Sequence, residues 1–135
     1  MTRLKLYKSE KLCSKIEIDK LYKQGNSIIA YPLRAVWLAV DAGEGAHPVP
    51  ARFLISIPKK RIRHAVQRVL LRRRTRESYR LNRHLLQPAA SGAGKTVLIG
   101  FNWLATDEKD YATIDRCMRS LLEKIATNLN DRQQL

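Results

Sequence analysis

Eleven side chains between Lys59 and Arg83 are basic and one, Glu77, is acidic. The basic ones are Lys59, Lys60, Arg61, Arg63, Arg68, Arg72, Arg73, Arg74, Arg76, Arg80 and Arg83. Their spacing is helical. Arg68, Arg72, Arg76 and Arg80 recur every four residues and Arg83 follows three later, so on a helix these five line one side. Like charges at that spacing repel by roughly 0.2–0.5 kcal/mol per pair. The ridge therefore weakens the isolated fold, and a polyanion laid along it reverses the sign. Arginine dominates the ridge, and a guanidinium fork grips phosphate oxygens in pairs.

The helix is expected from about residue 63 to residue 86. Val66, Leu70 and Leu81 fall near one side, with Val69 adjacent, and are read as its core side. Arg68, Arg72, Arg76 and Arg83 fall roughly opposite, with Arg73 and Arg80 at the margin. Glu77 lies four after Arg73 and three before Arg80, within reach of local pairing.

The rest of the chain supplies a sheet for that helix to rest on. Ser14 followed by Glu17 has the form of a capping box, and Ile18, Leu21 and Tyr22 share a face before Gly25 stops a short first helix. Residues 28–31 are β-prone up to Pro32. Leu33, Ala35, Trp37 and Ala39 alternate with Arg34, Val36, Leu38 and Val40, a strand apolar on most of both faces. Residues 41–50, around His47, read as an exposed hairpin connection. Phe53, Ile55 and Ile57 alternate in a third strand that Pro58 ends. Residues 87–95 read as a loop and 97–101 as a short apolar strand. Asp107 is expected to cap a last helix bearing Ile114, Met118, Leu121, Leu122, Ile125 and Leu129. The order α-β-β-β-α-β-α calls for an α+β fold, with helices packed on a four-stranded sheet.

A chain of 135 residues is one domain by size, residues 1–135, and buries about two-thirds of its unfolded surface. The expected core covers about 6–127, and the tail at 128–135 is expected to fray. A net charge of +14 directs attention to nucleic acid. An anionic membrane is the weaker partner, since no long apolar run exists. No signal peptide is visible, and Cys13 and Cys117 read as reduced thiols, so the expected location is cytoplasmic.

Catalytic patterns are missing. Gly92-Ala93-Gly94-Lys95-Thr96 lacks the first glycine of a phosphate-binding loop, where Ala89 stands, and precedes a strand. It reads as a glycine turn. His47, His64 and His84 have no spaced Cys or carboxylate partners for a metal. His64 is either a phosphate contact or merely solvated. Asp107, Glu108 and Asp110 cluster where acids favour a helix dipole. The chain offers a binding surface, no catalytic residues and no site for a small-molecule substrate.

Ile55-Ser56-Ile57-Pro58-Lys59-Lys60, then Ala65-Val66-Gln67-Arg68, then Arg72-Arg73-Arg74-Thr75-Arg76-Glu77-Ser78-Tyr79-Arg80 together resemble the protein subunit of bacterial ribonuclease P. Tyr22-Lys23-Gln24-Gly25 also looks like that family's first helix. The likeness runs over roughly 6–127. Where the family has Arg-Asn-Arg, this chain has Arg68-Val69-Leu70, and Ile18 replaces an aromatic common on the first helix.

The resemblance implies a ribosomal protein S5 domain 2-like fold with a left-handed βαβ crossover. It implies an endonuclease whose catalytic groups and Mg²⁺ belong to an RNA subunit, and which removes the 5′ leader of precursor tRNA. The partners are then ribonuclease P RNA and precursor tRNA. RNA phosphates are assigned to Arg68, Arg72, Arg73 and Arg76, extended by Lys59, Lys60, Arg61, Arg63 and Arg80. A leader-binding cleft between first helix and sheet is assigned to Lys11, Leu12, Ile18, Tyr22, Leu33, Val36 and Trp37. Two other readings remain: a non-catalytic structural RNA-binding protein such as a ribosomal protein, and a DNA-binding module, which the scarcity of Asn and Gln on the basic helix disfavours.

Overall fold

The computed structural model describes residues 6, 8–41 and 49–133. Ser14 opens α1 (Lys15–Gln24), its hydroxyl accepting from the Glu17 N–H at 3.4 Å. This is half of the expected capping box, because the Glu17 carboxylate pairs with Arg52, 3.1 Å away. Gly25 ends the helix and donates to the Leu21 carbonyl at 2.7 Å. A Cβ there would stand 2.3 Å from that oxygen and 2.8 Å from Val36 Cγ1. The stop therefore needs glycine for room.

β1 (Asn26–Ala30) and β2 (Leu33–Asp41) form a hairpin that turns at Tyr31 and Pro32. β3 (Ala51–Ser56) and β4 (Lys95–Trp103) complete the sheet in the order β1-β2-β4-β3. β2 is antiparallel to both neighbours, whereas β3 and β4 are parallel. Between that parallel pair the chain forms α2 (Ala65–Asn82), a 3-10 turn (Arg83–Leu85) and α3 (Gln87–Ala93). α4 (Tyr111–Gln133) follows the sheet. The α+β order expected from the sequence is present, with α3 added. The connection expected at 41–50 is not that of a hairpin, because β2 and β3 each pair with β4 and not with each other; residues 42–48, with His47, lie outside the described residues.

Expectations for the last two helical segments need correction. The stretch at 87–95 is not a loop: α3 has Pro88 in its first turn, where the missing N–H costs little, then Ala89 and Ala90. Gly94 ends it at φ 66°, a left-handed conformation suited to glycine. The cap of α4 is Asp110, whose carboxylate accepts from the Thr113 N–H at 3.0 Å. Hydrogen bonding from the Thr113 hydroxyl, and then from its N–H, holds the Asp110 carboxyl below its usual range. Asp107 instead pairs with Lys109. Finally, α4 stays helical beyond residue 128 because Leu129 is buried against the core.

Strand alternation divides the apolar residues between two cores. Leu33, Ala35 and Trp37 of β2, Phe53 of β3, and Val97, Ile99, Phe101 and Trp103 of β4 face α2 and α4 in the main core. The Tyr79 ring of α2 lies between Phe53 and Phe101, with centroids 4.3 and 5.7 Å away. The other face holds a small core under α1, formed by Leu12, Leu21, Val36 and Leu98, with Ile18, Leu38, Val40 and Leu54 against it.

α2 packs through a different side from the one its hydropathy suggests. Its buried residues are Leu71, Thr75, Ser78, Tyr79 and Asn82. Thr75, Ser78 and Asn82 find hydrogen-bond partners, whereas the Tyr79 hydroxyl is buried without one among the described residues. Thr75 Oγ1 donates to the Leu71 carbonyl at 2.8 Å. Ser78 Oγ and Asn82 Nδ2 both donate to Asp115 Oδ1 of α4, at 2.9 and 2.7 Å. Val66, Val69, Leu70 and Leu81, expected in the core, are exposed.

Candidate RNA interface

The basic segment begins as a turn. The Arg61 and Ile62 N–H groups both donate to the Pro58 carbonyl, and buried Ile62 anchors the turn in the main core. Lys59, Lys60, Arg61 and Arg63 are thereby held exposed, as is His64 just before α2. Arg68 pins turn to helix, its Nη1 donating to the carbonyls of Ile62 and Arg63 at 2.9 and 2.8 Å.

Further along α2 the arginines separate by role. Arg74 bonds to Glu108 and to the Lys109 carbonyl, both at 2.7 Å. Arg80 Nε donates to Glu77 at 3.1 Å, and this contact holds the Glu77 carboxyl below its usual range. Arg72, Arg73 and Arg76 are exposed and make no hydrogen bond or ion pair among the described residues. Their guanidinium forks remain open to an outside anion. Arg83 departs from the expected ridge. It is buried, and its Nη1 donates to both carboxylate oxygens of Glu10 at 2.8 Å. That bond ties the N-terminal segment to the end of α2.

A second surface lies where the sheet extends past α1. Register and alternation place Ile29, Arg34, Asn102 and Ser56 in one row across all four strands. The next row holds Ser27, Val36, Gly100 and Leu54. Tyr22 of α1 reaches over this face, and its hydroxyl donates to Asn102 Oδ1 at 3.1 Å. Gly100 makes the reach possible, since a Cβ there would stand 2.6 Å from the Tyr22 oxygen. Arg34 Nε donates to Ser27 Oγ at 2.8 Å. The result is a shallow groove with an aromatic wall, amide and hydroxyl groups on its floor and a guanidinium at its side. Such a surface suits the bases and backbone of a single strand.

Of the residues expected there, Tyr22 lines the groove. Lys11 is exposed where it bridges to Phe53 at the β3 edge. Leu12, Ile18 and Val36 belong to the small core beneath α1 and support the wall. Leu33 and Trp37 do not belong to it: both are buried in the main core, on the opposite face of the sheet. Trp37 is one residue from Val36, and on a strand one residue reverses the side. Arg34, Ser56 and Asn102 were missed. Each is a polar residue near the end of a largely apolar strand, and only the strand register brings the three into one row.

Comparison with known proteins agrees with this architecture. The Ribonuclease P family model matches residues 6–126. The ribonuclease P protein component of Porphyromonas gingivalis is 35% identical over 124 residues, 92% of this chain and 88% of that protein. That of Chlorobaculum tepidum is 34% identical over 82 residues, covering 60% of this chain and 53% of its own length. Among solved structures, the Staphylococcus aureus RNase P protein superposes with TM-score 0.61 at 20% identity, covering 88% of this chain and 96% of that one. The Thermotoga maritima RNase P protein gives TM-score 0.62 at 19% identity, covering 86% and 97%. The matched span takes in α1, the whole sheet, α2 and most of α4, and the chain belongs to the ribonuclease P protein family.

Proposed function

We propose that this chain binds ribonuclease P RNA along the outer side of α2 and holds the 5′ leader of precursor tRNA in the groove beside Tyr22. The observation that carries this reading is the open trio Arg72, Arg73 and Arg76. Three exposed guanidiniums on one braced helix suit the binding of phosphates. The turn at Lys59, Lys60, Arg61 and Arg63 extends it. The groove lies across the sheet from the main core and has the polar floor a single strand needs.

Cleavage chemistry falls to the RNA. Among the described residues no three His, Cys, Asp or Glu side chains stand together to hold an ion. In this reading Mg²⁺ acts with the RNA, where it would activate water and stabilise the leaving oxygen. The chain contributes binding and positioning, and the holoenzyme gives the mature tRNA 5′ end. No helix among the described residues is long and apolar enough to cross a membrane.

The test is reconstitution. The chain is mixed with ribonuclease P RNA and a precursor tRNA at Mg²⁺ too low for the RNA alone. Cleavage at the mature 5′ end only when both components are present is the expected result. Tight RNA binding without any gain in cleavage would overturn the reading in favour of a structural RNA-binding protein.

A further inference from the structure

Two cavities on the outer side of α2 share one wall. The first, about 380 Å³, is lined by Ala65, Val66, Val69, Leu70 and Arg73. The second, about 670 Å³, has Arg73, Arg74, Arg76, Arg80 and Tyr111 in its lining, together with the acid Glu77. Arg73 belongs to both. The first cavity is apolar and open: Val66 is 81% exposed, Val69 42% and Leu70 36%. Its volume lies within the range of small-ligand sites.

Charge decides what can cover it. A second copy of the chain would bring another +14 against the same arginines. A protein partner would need an apolar knob inside an acidic rim. A nucleobase meets both demands in one group, because its ring faces are apolar and its own phosphate lies a few bonds away. With the phosphate on Arg73, the base reaches the apolar side of that residue. A paired base is stacked inside its helix, so the base that enters must be unpaired.

We propose that the apolar cavity at the start of α2 takes one unpaired nucleobase of the RNA whose phosphates lie on Arg73 and Arg76. This inference rests on the reading of α2 as the RNA-binding helix, and salt dependence separates the two. Phosphate contacts release counterions and steepen the salt slope, whereas burial of a base leaves it unchanged.

The experiment measures affinity for ribonuclease P RNA across a salt series. The double variant Val69→Ala with Leu70→Ala should bind about five- to tenfold more weakly at every salt concentration, with an unaltered slope. Arg72→Ala and Arg76→Ala should flatten the slope. Full affinity in the apolar variant together with flattened slopes in the arginine variants would overturn the base cavity alone. No change in either set would overturn the RNA-binding reading itself. Both substituted apolar residues are exposed and alanine favours the helix, so folding is preserved. As a second readout, a benzophenone amino acid at position 66 should crosslink to one unpaired nucleotide. Crosslinks to a second copy of the chain, or scattered over paired RNA, would overturn the proposal.

Discussion

Tyr22 shows how one hydroxyl and one absent methyl position a groove. Its ring lies over Gly100 and its oxygen bonds to Asn102. Gly100→Ala places a carbon on the phenol and must displace it, while the sheet hydrogen bonds remain. The expected outcome is weaker binding of precursor tRNA, close to that of Tyr22→Ala, with little loss of stability. Titration with precursor and with mature tRNA checks it, because only the leader-bearing substrate should lose affinity. Equal loss for both would remove Tyr22 from the leader groove. The aromatic on the first helix was legible because its family neighbours stood beside it. Asn102 was not, since nothing in a short apolar strand says which polar residue an aromatic from another element will find.

The helix α2 separates charge that does work outside from charge used within the fold. Arg72→Ala and Arg76→Ala should each flatten the logarithmic salt dependence of RNA binding by about 0.7–0.9 of a unit. Arg80→Ala should change it less, because Arg80 is already paired with Glu77. Glu77→Gln removes the one negative charge of that pair and should steepen the slope, as a binding series at several salt concentrations would reveal. The opposite face holds Ser78 and Asn82 on Asp115. Asp115→Ala leaves both donors without that acceptor and should cost about 1–3 kcal/mol in urea unfolding. This face also explains the limit of the sequence reading. Hydropathy placed Val66, Leu70 and Leu81 inward because they are apolar. The buried side includes Thr75, Ser78 and Asn82, whose polar atoms are satisfied by the helix backbone and by α4. Only tertiary structure supplies the Asp115 that makes that burial tolerable. The charge pattern survived better. The spacing of Arg72 and Arg76 was sufficient to place them outside, while Arg83 turned inward because Glu10, 73 residues away, lies beyond any local pattern.

Across the molecule, the buried Glu10–Arg83 pair joins the N-terminal segment to the end of α2. Arg83→Met removes the guanidinium from a buried carboxylate and should destabilise the fold by about 3–5 kcal/mol. Replacing both residues with apolar ones of similar size should recover most of that loss in the same denaturation assay. The strand order has a further effect, on the timing of synthesis. β4 joins β2 to β3, yet it is the last strand to leave the ribosome. Until residue 103 has emerged, the hairpin and β3 have no common neighbour, and each presents an open edge. The basic helix has by then already been made, with no sheet to brace it. The nascent chain is thus an unanchored polycation beside ribosomal RNA until its central strand arrives, and a chain cut before β4 keeps the charge without the scaffold that directs it.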